Sequence, residues 1–196
     1  GSEWVGLKHF DDFLRSHQFP RLLKNTLGIS IYSLLAGFPI PILFAIMLNE
    51  CINIKLKETI QMVSYAPYFI STVVMVSMVL MFLGPRSGII NSIVELLGGE
   101  RINYMAQPGY FKSIYVWSGI WQGMGYSSVI YIASLSGIDQ CLYEAAIIDG
   151  ANKLQKIWHI DIPGITPTIV ILLILNFGSI MSVGYEKVLL MQNPAN

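Results

Sequence analysis

The sequence has 196 residues, of which 54% are hydrophobic and 12% are charged, and its formal net charge is zero. A soluble domain usually carries about a quarter charged residues, so this composition indicates a membrane protein. The neutral balance gives no electrostatic reason to expect a nucleic-acid partner.

Four stretches contain no Asp, Glu, Lys or Arg: residues 25–49, 59–85, 113–138 and 162–185. Each exceeds the roughly 20 residues that a helix needs to cross hydrocarbon, and spanning helices satisfy their own backbone hydrogen bonds. We therefore predict an all-α, polytopic membrane bundle, one domain over 1–196, with spans at approximately 26–48, 60–83, 113–136 and 165–182. A large soluble protein with four buried helices is the alternative, but buried helices are usually shorter.

The chain begins with an amphipathic segment. Residues 4–24 predict an interfacial helix, with Pro20 as its end. In the first span, Gly37, Pro39 and Pro41 cluster near the middle, where the prolines remove backbone donors and should bend the helix. Either a packing kink or a functional hinge would account for this cluster.

Turn residues and small residues mark the middle of the chain. Gly84-Pro85 ends the second span, and a short amphipathic helix follows, capped by Gly98-Gly99. In the third span, Gly119 and Gly123 form a small-xxx-small face that lets helices approach closely.

The polar segment 139–164 predicts two short helices joined by a glycine turn. Asp139 is placed to cap the first helix, and Gly150 can take the left-handed conformation that ends it. Asn152 could start a second helix through His159, and Pro163 marks the return to the bilayer.

This segment carries a motif: Glu144-Ala145-Ala146, three residues, Gly150, nine residues, and Ile160-Asp161-Ile162-Pro163. It resembles the EAA motif of bacterial type I ABC importer permeases, with Ile162 in place of leucine. The neighbouring Leu135-Ser136-Gly137-Ile138-Asp139 and the later Gly184-Tyr185-Glu186-Lys187-Val188 look like the carbohydrate and oligosaccharide branch, which includes maltose and polysaccharide permeases. Since such permeases have about six spans, we expect a first helix and at least one last helix outside this sequence.

The resemblance implies that segment 139–164 is a cytoplasmic coupling loop that docks on a separate ATPase subunit. The implied coupling residues are Glu144, Ala145, Ala146, Asp149, Gly150, Ile160 and Pro163. ATP and Mg²⁺ would be bound by that partner, so we expect no cofactor, catalytic residue or metal ligand in this chain. Its sequence has no phosphate-loop motif, hydrolytic triad or His-x-x-x-His pair. The other implied partners are a second homologous permease, an extracytoplasmic solute-binding protein and membrane lipid.

A substrate pathway would need polar or aromatic side chains inside the membrane. The candidates are Gln122, Tyr126, Asn176, Trp117 and Trp121. The tryptophans could stack on sugars or simply face lipid or the core, and Gln122 and Asn176 could contact substrate or join helices by hydrogen bonds.

The resemblance also implies a bacterial inner (plasma) membrane location with the 139–164 loop in the cytoplasm. Cys51 and Cys141 would then lie at cytoplasmic helix ends, where thiols stay reduced. The positive-inside rule favours the reverse orientation, although a first helix, unseen here, usually dominates topology. An importer of another solute, such as an amino acid, remains an alternative. A secondary transporter or channel is a further alternative. The absence of charged residues within the spans argues against it.

Overall fold

The computed structural model of the protein describes residues 6–192, in which every regular element is helical. The all-α prediction is therefore confirmed. The α-helices in chain order are α1 (Lys8–Arg15), α2 (Gln18–Gly37), α3 (Pro39–Asn49), α4 (Ile54–Tyr65), α5 (Thr72–Phe82), α6 (Ile89–Leu96), α7 (Pro108–Ser136), α8 (Gln140–Ile148), α9 (Lys153–Lys156), α10 (Ile162–Gly178) and α11 (Tyr185–Met191).

The first predicted helix differs from the structure. Trp4 lies outside the described residues, α1 ends at Arg15, and Pro20 sits in the first turn of α2 instead of ending a helix. Proline is accommodated there because first-turn N–H groups have no acceptor within the helix. Phe38, between α2 and α3, has helical torsion angles, so Gln18–Asn49 forms one run of 32 residues.

The predicted second span, 60–83, is not one straight helix. Ile54–Phe69 and Thr72–Phe82 meet at an angle of 103°. Ile70 has extended torsion angles, and the Ser71 hydroxyl accepts a hydrogen bond from the Val74 N–H at 3.4 Å to start the new helix. The break is therefore built by an extended residue followed by a side-chain cap.

The helix that contains the predicted fourth span, 165–182, begins before residue 165 and ends at Gly178. A five-residue π turn, Ile157–Asp161, joins α9 to α10, so that Lys153–Gly178 forms one run of 26 residues. The second loop helix therefore does not end at His159. The widened turn ends at Asp161, two residues before Pro163, which has no N–H to place in a helical bond.

Within residues 6–192, Gln18–Asn49 and Lys153–Gly178 are long and apolar enough to cross a membrane, and the bent pair makes three if it counts as one span. The predicted span 113–136 falls inside α7, whose 29 residues rise about 43 Å. Helix α7 is less apolar than the runs Gln18–Asn49 and Lys153–Gly178, since it contains several glycines and serines and a glutamine. Its passage through the membrane stays a prediction.

Helix α7 is the centre of the bundle and packs against α2, α3, α4 and α10. The core shared with α3 and α10 contains Ala45, Ile46, Tyr131, Leu135 and Ile165. A second cluster, which contains Met75, Val76, Met105 and Met191, packs α11 against α5. The segment after α10 therefore folds back onto the bundle.

Candidate functional site

The first helix of the 139–164 loop begins at a side-chain cap, as predicted. The Asp139 carboxylate accepts a hydrogen bond from the Cys141 N–H at 2.9 Å. This hydrogen bond from the backbone lowers the pKa of Asp139 most, and a hydrogen bond with the Cys141 side chain lowers it further. The residue stays ionised and supplies the acceptor that the open first turn of α8 needs.

The end of α8 explains the spacing of the motif. Gly150 has φ +74°, its N–H donates to the Ile147 carbonyl at 3.1 Å, and the Ala151 N–H donates to the Ala146 carbonyl at 2.8 Å. These two bonds form a Schellman cap, which needs a left-handed residue four positions after Ala146. The interval from the second alanine to the glycine is thus a geometric requirement for ending α8.

The helix that follows starts with a reciprocal cap. The Asn152 side chain accepts from the Gln155 N–H at 2.9 Å, and the Gln155 side chain accepts from the Asn152 N–H at 2.7 Å. A short turn thus separates two capped helices, so the direction of the chain at the loop is well defined.

Polar side-chain contacts tie the loop to the rest of the bundle. The Tyr143 hydroxyl donates to Oδ1 of the fully buried Asp161, whose Oδ2 has no hydrogen-bond partner among the described residues. The Lys153 ammonium on α9 lies 3.8 Å from the carboxylate of Glu50, the residue that follows α3. The loop is therefore tied to the start of α10 through Tyr143 and to the end of α3 through Lys153.

The environment of Tyr143 keeps it protonated. Burial raises its pKa most, and the hydrogen bond to Asp161 and the charge of that carboxylate raise it further. Sequence reasoning missed this pair. The available signal was Asp161 itself, an acidic residue between two isoleucines at the start of an apolar run.

Four predicted coupling residues converge on one depression of about 330 Å³, whose wall includes Ala146, Asp149, Gly150 and Ile160. Glu144 and Ala145 are exposed on α8, and Pro163 is exposed at the start of α10; none of the three lines the depression. The surrounding surface presents large apolar side chains to solvent, namely Ile147, Ile148, Leu154 and Trp158. A concave surface with an apolar rim is suited to contact with another protein.

A larger cavity of about 680 Å³ lies among α2, α7 and α10. The predicted pathway residues Gln122, Tyr126 and Asn176 line it, whereas Trp117 and Trp121 do not. Its volume falls in the range of small-molecule sites. The wall also contains side chains that sequence reasoning missed: Ser30, Ser33, Ser179, Ser182 and Lys187.

Three of these candidates have partners on other helices. The Gln122 amide donates to the Ile70 carbonyl at 2.8 Å, and this bond gives a donor to the carbonyl at the break between α4 and α5. The Tyr126 ring stacks on Tyr68 at 3.9 Å, and the Trp117 indole N–H donates to the Tyr32 hydroxyl at 3.0 Å. Gln122 therefore has the interhelical hydrogen bond that was one of its two predicted roles.

The remaining two candidates have no such link among the described residues. The Asn176 side chain donates to the Leu172 carbonyl of its own helix at 2.7 Å. Trp121 is 42% exposed, and Trp117 is 52% exposed despite its hydrogen bond. The tryptophans thus lie outside the cavity, on the surface of this part of the bundle.

Comparison with known proteins agrees with the helical fold. Residues 25–184 match the family described as the inner membrane component of binding-protein-dependent transport systems. The chain belongs to this family and is a multi-pass membrane protein.

Relatives and solved structures support the assignment. The sequence is 42% identical, over all of this chain and 61% of the relative, to the Bacillus subtilis (strain 168) polygalacturonan/rhamnogalacturonan transport system permease protein YteP. The fold matches a chain from the crystal structure of a bacterial ABC transporter involved in the import of the acidic polysaccharide alginate, with a TM-score of 0.95. The two sequences are 40% identical, and the match covers 99% of this chain and 68% of that chain.

A second structure, of a bacterial alginate ABC transporter in complex with an alginate pentasaccharide-bound periplasmic protein, gives a TM-score of 0.94 at 40% identity. It covers 97% of this chain and 66% of that chain. The protein thus spans about three fifths of the length of a curated relative such as YteP.

Proposed function

We propose that this protein is the membrane-spanning permease subunit of an ABC importer for a sugar or oligosaccharide. The observation that carries the proposal is the 139–164 loop, whose two capped helices surround a depression with an apolar rim and are anchored to α3 and α10. The names of the relatives, which transport polygalacturonan and alginate, support a carbohydrate substrate.

In this mechanism an ATPase subunit grips the depression at Gly150 on the cytoplasmic side. The pair formed by Tyr143 and Asp161 joins the gripped helix to α10, and the contact between Lys153 and Glu50 joins the loop to α3. Closure of the ATPase would therefore pull on two helices that flank α7 and alter the cavity. ATP and Mg²⁺ would be bound by the ATPase, and this chain would contribute no cofactor.

The proposed assembly contains two ATPase subunits, a second homologous permease and an extracytoplasmic solute-binding protein. The binding protein would deliver substrate to a pathway between the two permeases. The alginate transporter solved with its ligand-bound periplasmic protein supports this last partner.

Uptake of labelled oligosaccharide into proteoliposomes tests the proposal. The full-length protein would be copurified with its partners in mild detergent and reconstituted with the binding protein. ATP should drive uptake, and an ion gradient alone should not. Uptake that needs only an ion gradient would instead establish a secondary transporter, and ATP-driven uptake of amino acids but no sugar would reassign the substrate.

A further inference from the structure

Lys187 is a buried cation on the wall of the large cavity. Lys187 is 8% exposed. Its ammonium group donates to the Tyr115 carbonyl at 2.7 Å and lies 4.5 Å from the centre of the Tyr115 ring. Burial lowers the pKa of Lys187 to about 8. The ion pairs among residues 6–192 join Arg15 to Asp11, Arg101 to Glu95 and Lys153 to Glu50, so no carboxylate in the described chain neutralises Lys187.

The fold makes room for this ammonium group. A methyl group added at Gly119 would lie 3.1 Å from the Lys187 Nζ, so the glycine leaves the space that the cation occupies. Tyr115, Gly119, Gln122 and Tyr126 follow one another at intervals of four, three and four residues, which places them on one face of α7. All four line the cavity together with Lys187.

The cavity is otherwise uncharged. Among the described residues that line it, Lys187 is the only one with a basic or carboxylic side chain; the others are apolar, aromatic, hydroxyl or amide residues. A buried charge is costly unless it is paired, and a carbonyl with an aromatic face compensates it only in part. An anionic group entering the cavity would complete the ion pair.

We propose that Lys187 binds a carboxylate of an acidic oligosaccharide in this cavity and gives the importer a preference for uronate-containing chains over neutral ones. The inference rests on the proposed sugar import. Hydroxyl groups in the cavity wall, such as those of Ser30 and Ser33 on α2, would supply hydrogen bonds to the sugar, and the Lys187 ammonium would bind the carboxylate.

The test compares uptake of a galacturonate tetramer with that of the same tetramer after methyl esterification, in proteoliposomes that hold the complete importer. Lys187→Gln should lower uptake of the acidic tetramer about tenfold, as expected for a lost charge-assisted hydrogen bond, and should leave uptake of the ester unchanged. Lys187→Arg should retain most of the acidic uptake. Lys112→Gln is the matched control, because it removes the charge of a lysine on α7 that does not line the cavity.

Equal uptake of the acidic tetramer by wild type and Lys187→Gln would overturn the inference. So would equal losses in the arginine and glutamine variants, which would show that Lys187 only fastens α11 to α7. Neither result would affect the proposed function, which fails only if the wild-type importer takes up no sugar with ATP.

Discussion

Substitution of Gly150 by alanine is the sharpest perturbation of the coupling loop. Gly150 has φ +74°, and no atom lies within 4 Å of the position that a methyl group would take. The substitution therefore causes no clash, and its whole effect is the cost of the left-handed conformation, about 1–2 kcal/mol for an ordinary residue. This cost lowers the equilibrium constant for the capped turn about 5- to 30-fold.

Gly98 provides a control with the same geometry. It has φ +85°, and the space around its Cα is equally open, since a methyl group added there would meet no atom within 4 Å. It ends α6 with bonds from the Gly98 N–H to the Glu95 carbonyl and from the Gly99 N–H to the Val94 carbonyl. Gly98→Ala should therefore strain a Schellman cap by the same amount, about 1–2 kcal/mol, outside the coupling loop.

The assay is oligosaccharide uptake per ATP hydrolysed by the reconstituted importer at matched expression. Gly150→Ala should lower this ratio several-fold, Gly150→Asn should lower it less because asparagine tolerates the left-handed region, and Gly98→Ala should leave it unchanged. Equal losses in the two alanine variants would contradict a specific role of Gly150 in coupling, since they would show that the ratio follows helix-end strain anywhere in the protein.

Two further predictions concern stability, measured as thermal unfolding of the full-length protein in detergent. Tyr143→Phe removes the donor to the buried Asp161 and should destabilise the protein by about 1–3 kcal/mol; an unchanged melting temperature would show that the pair contributes nothing. Gly125→Ala would place a methyl group 2.9 Å from the Ser64 Oγ and closer to its carbonyl, and should cost about 1–3 kcal/mol. Gly123→Ala is the control, because a methyl group added there meets no atom within 4 Å, and it should stabilise α7 by up to about 1 kcal/mol. Similar effects of the two alanine substitutions would contradict the close approach of α4 and α7.

Local features were predictable because their causes are local. The cap at Asp139, the left-handed end at Gly150 and the short helix before Gly98 each depend on residues close to one another in sequence. The sequence pattern therefore predicted them without knowledge of the fold.

The break near Ile70 could not be predicted in this way. The carbonyl freed there is satisfied by Gln122, which lies 52 residues away in sequence. The two prolines Pro20 and Pro163 show a related difficulty. A proline is compatible with the end of a helix, with its first turn or with a position just after a π turn. Only the surrounding backbone determines which of these positions the proline takes. Lys187 follows the last apolar span in sequence, and only the packing of α11 brings it to the cavity.

The most direct test of the account is the reactivity of Cys141, an exposed thiol on α8. The full-length protein, with Cys141 as its only cysteine, would be treated with a membrane-impermeant maleimide in right-side-out and inside-out vesicles, with and without the ATPase subunits. A cytoplasmic coupling loop predicts labelling only in inside-out vesicles and protection when the ATPase is bound. Labelling from the outside, or labelling that the ATPase does not reduce, would contradict the claim that this loop couples the permease to its motor.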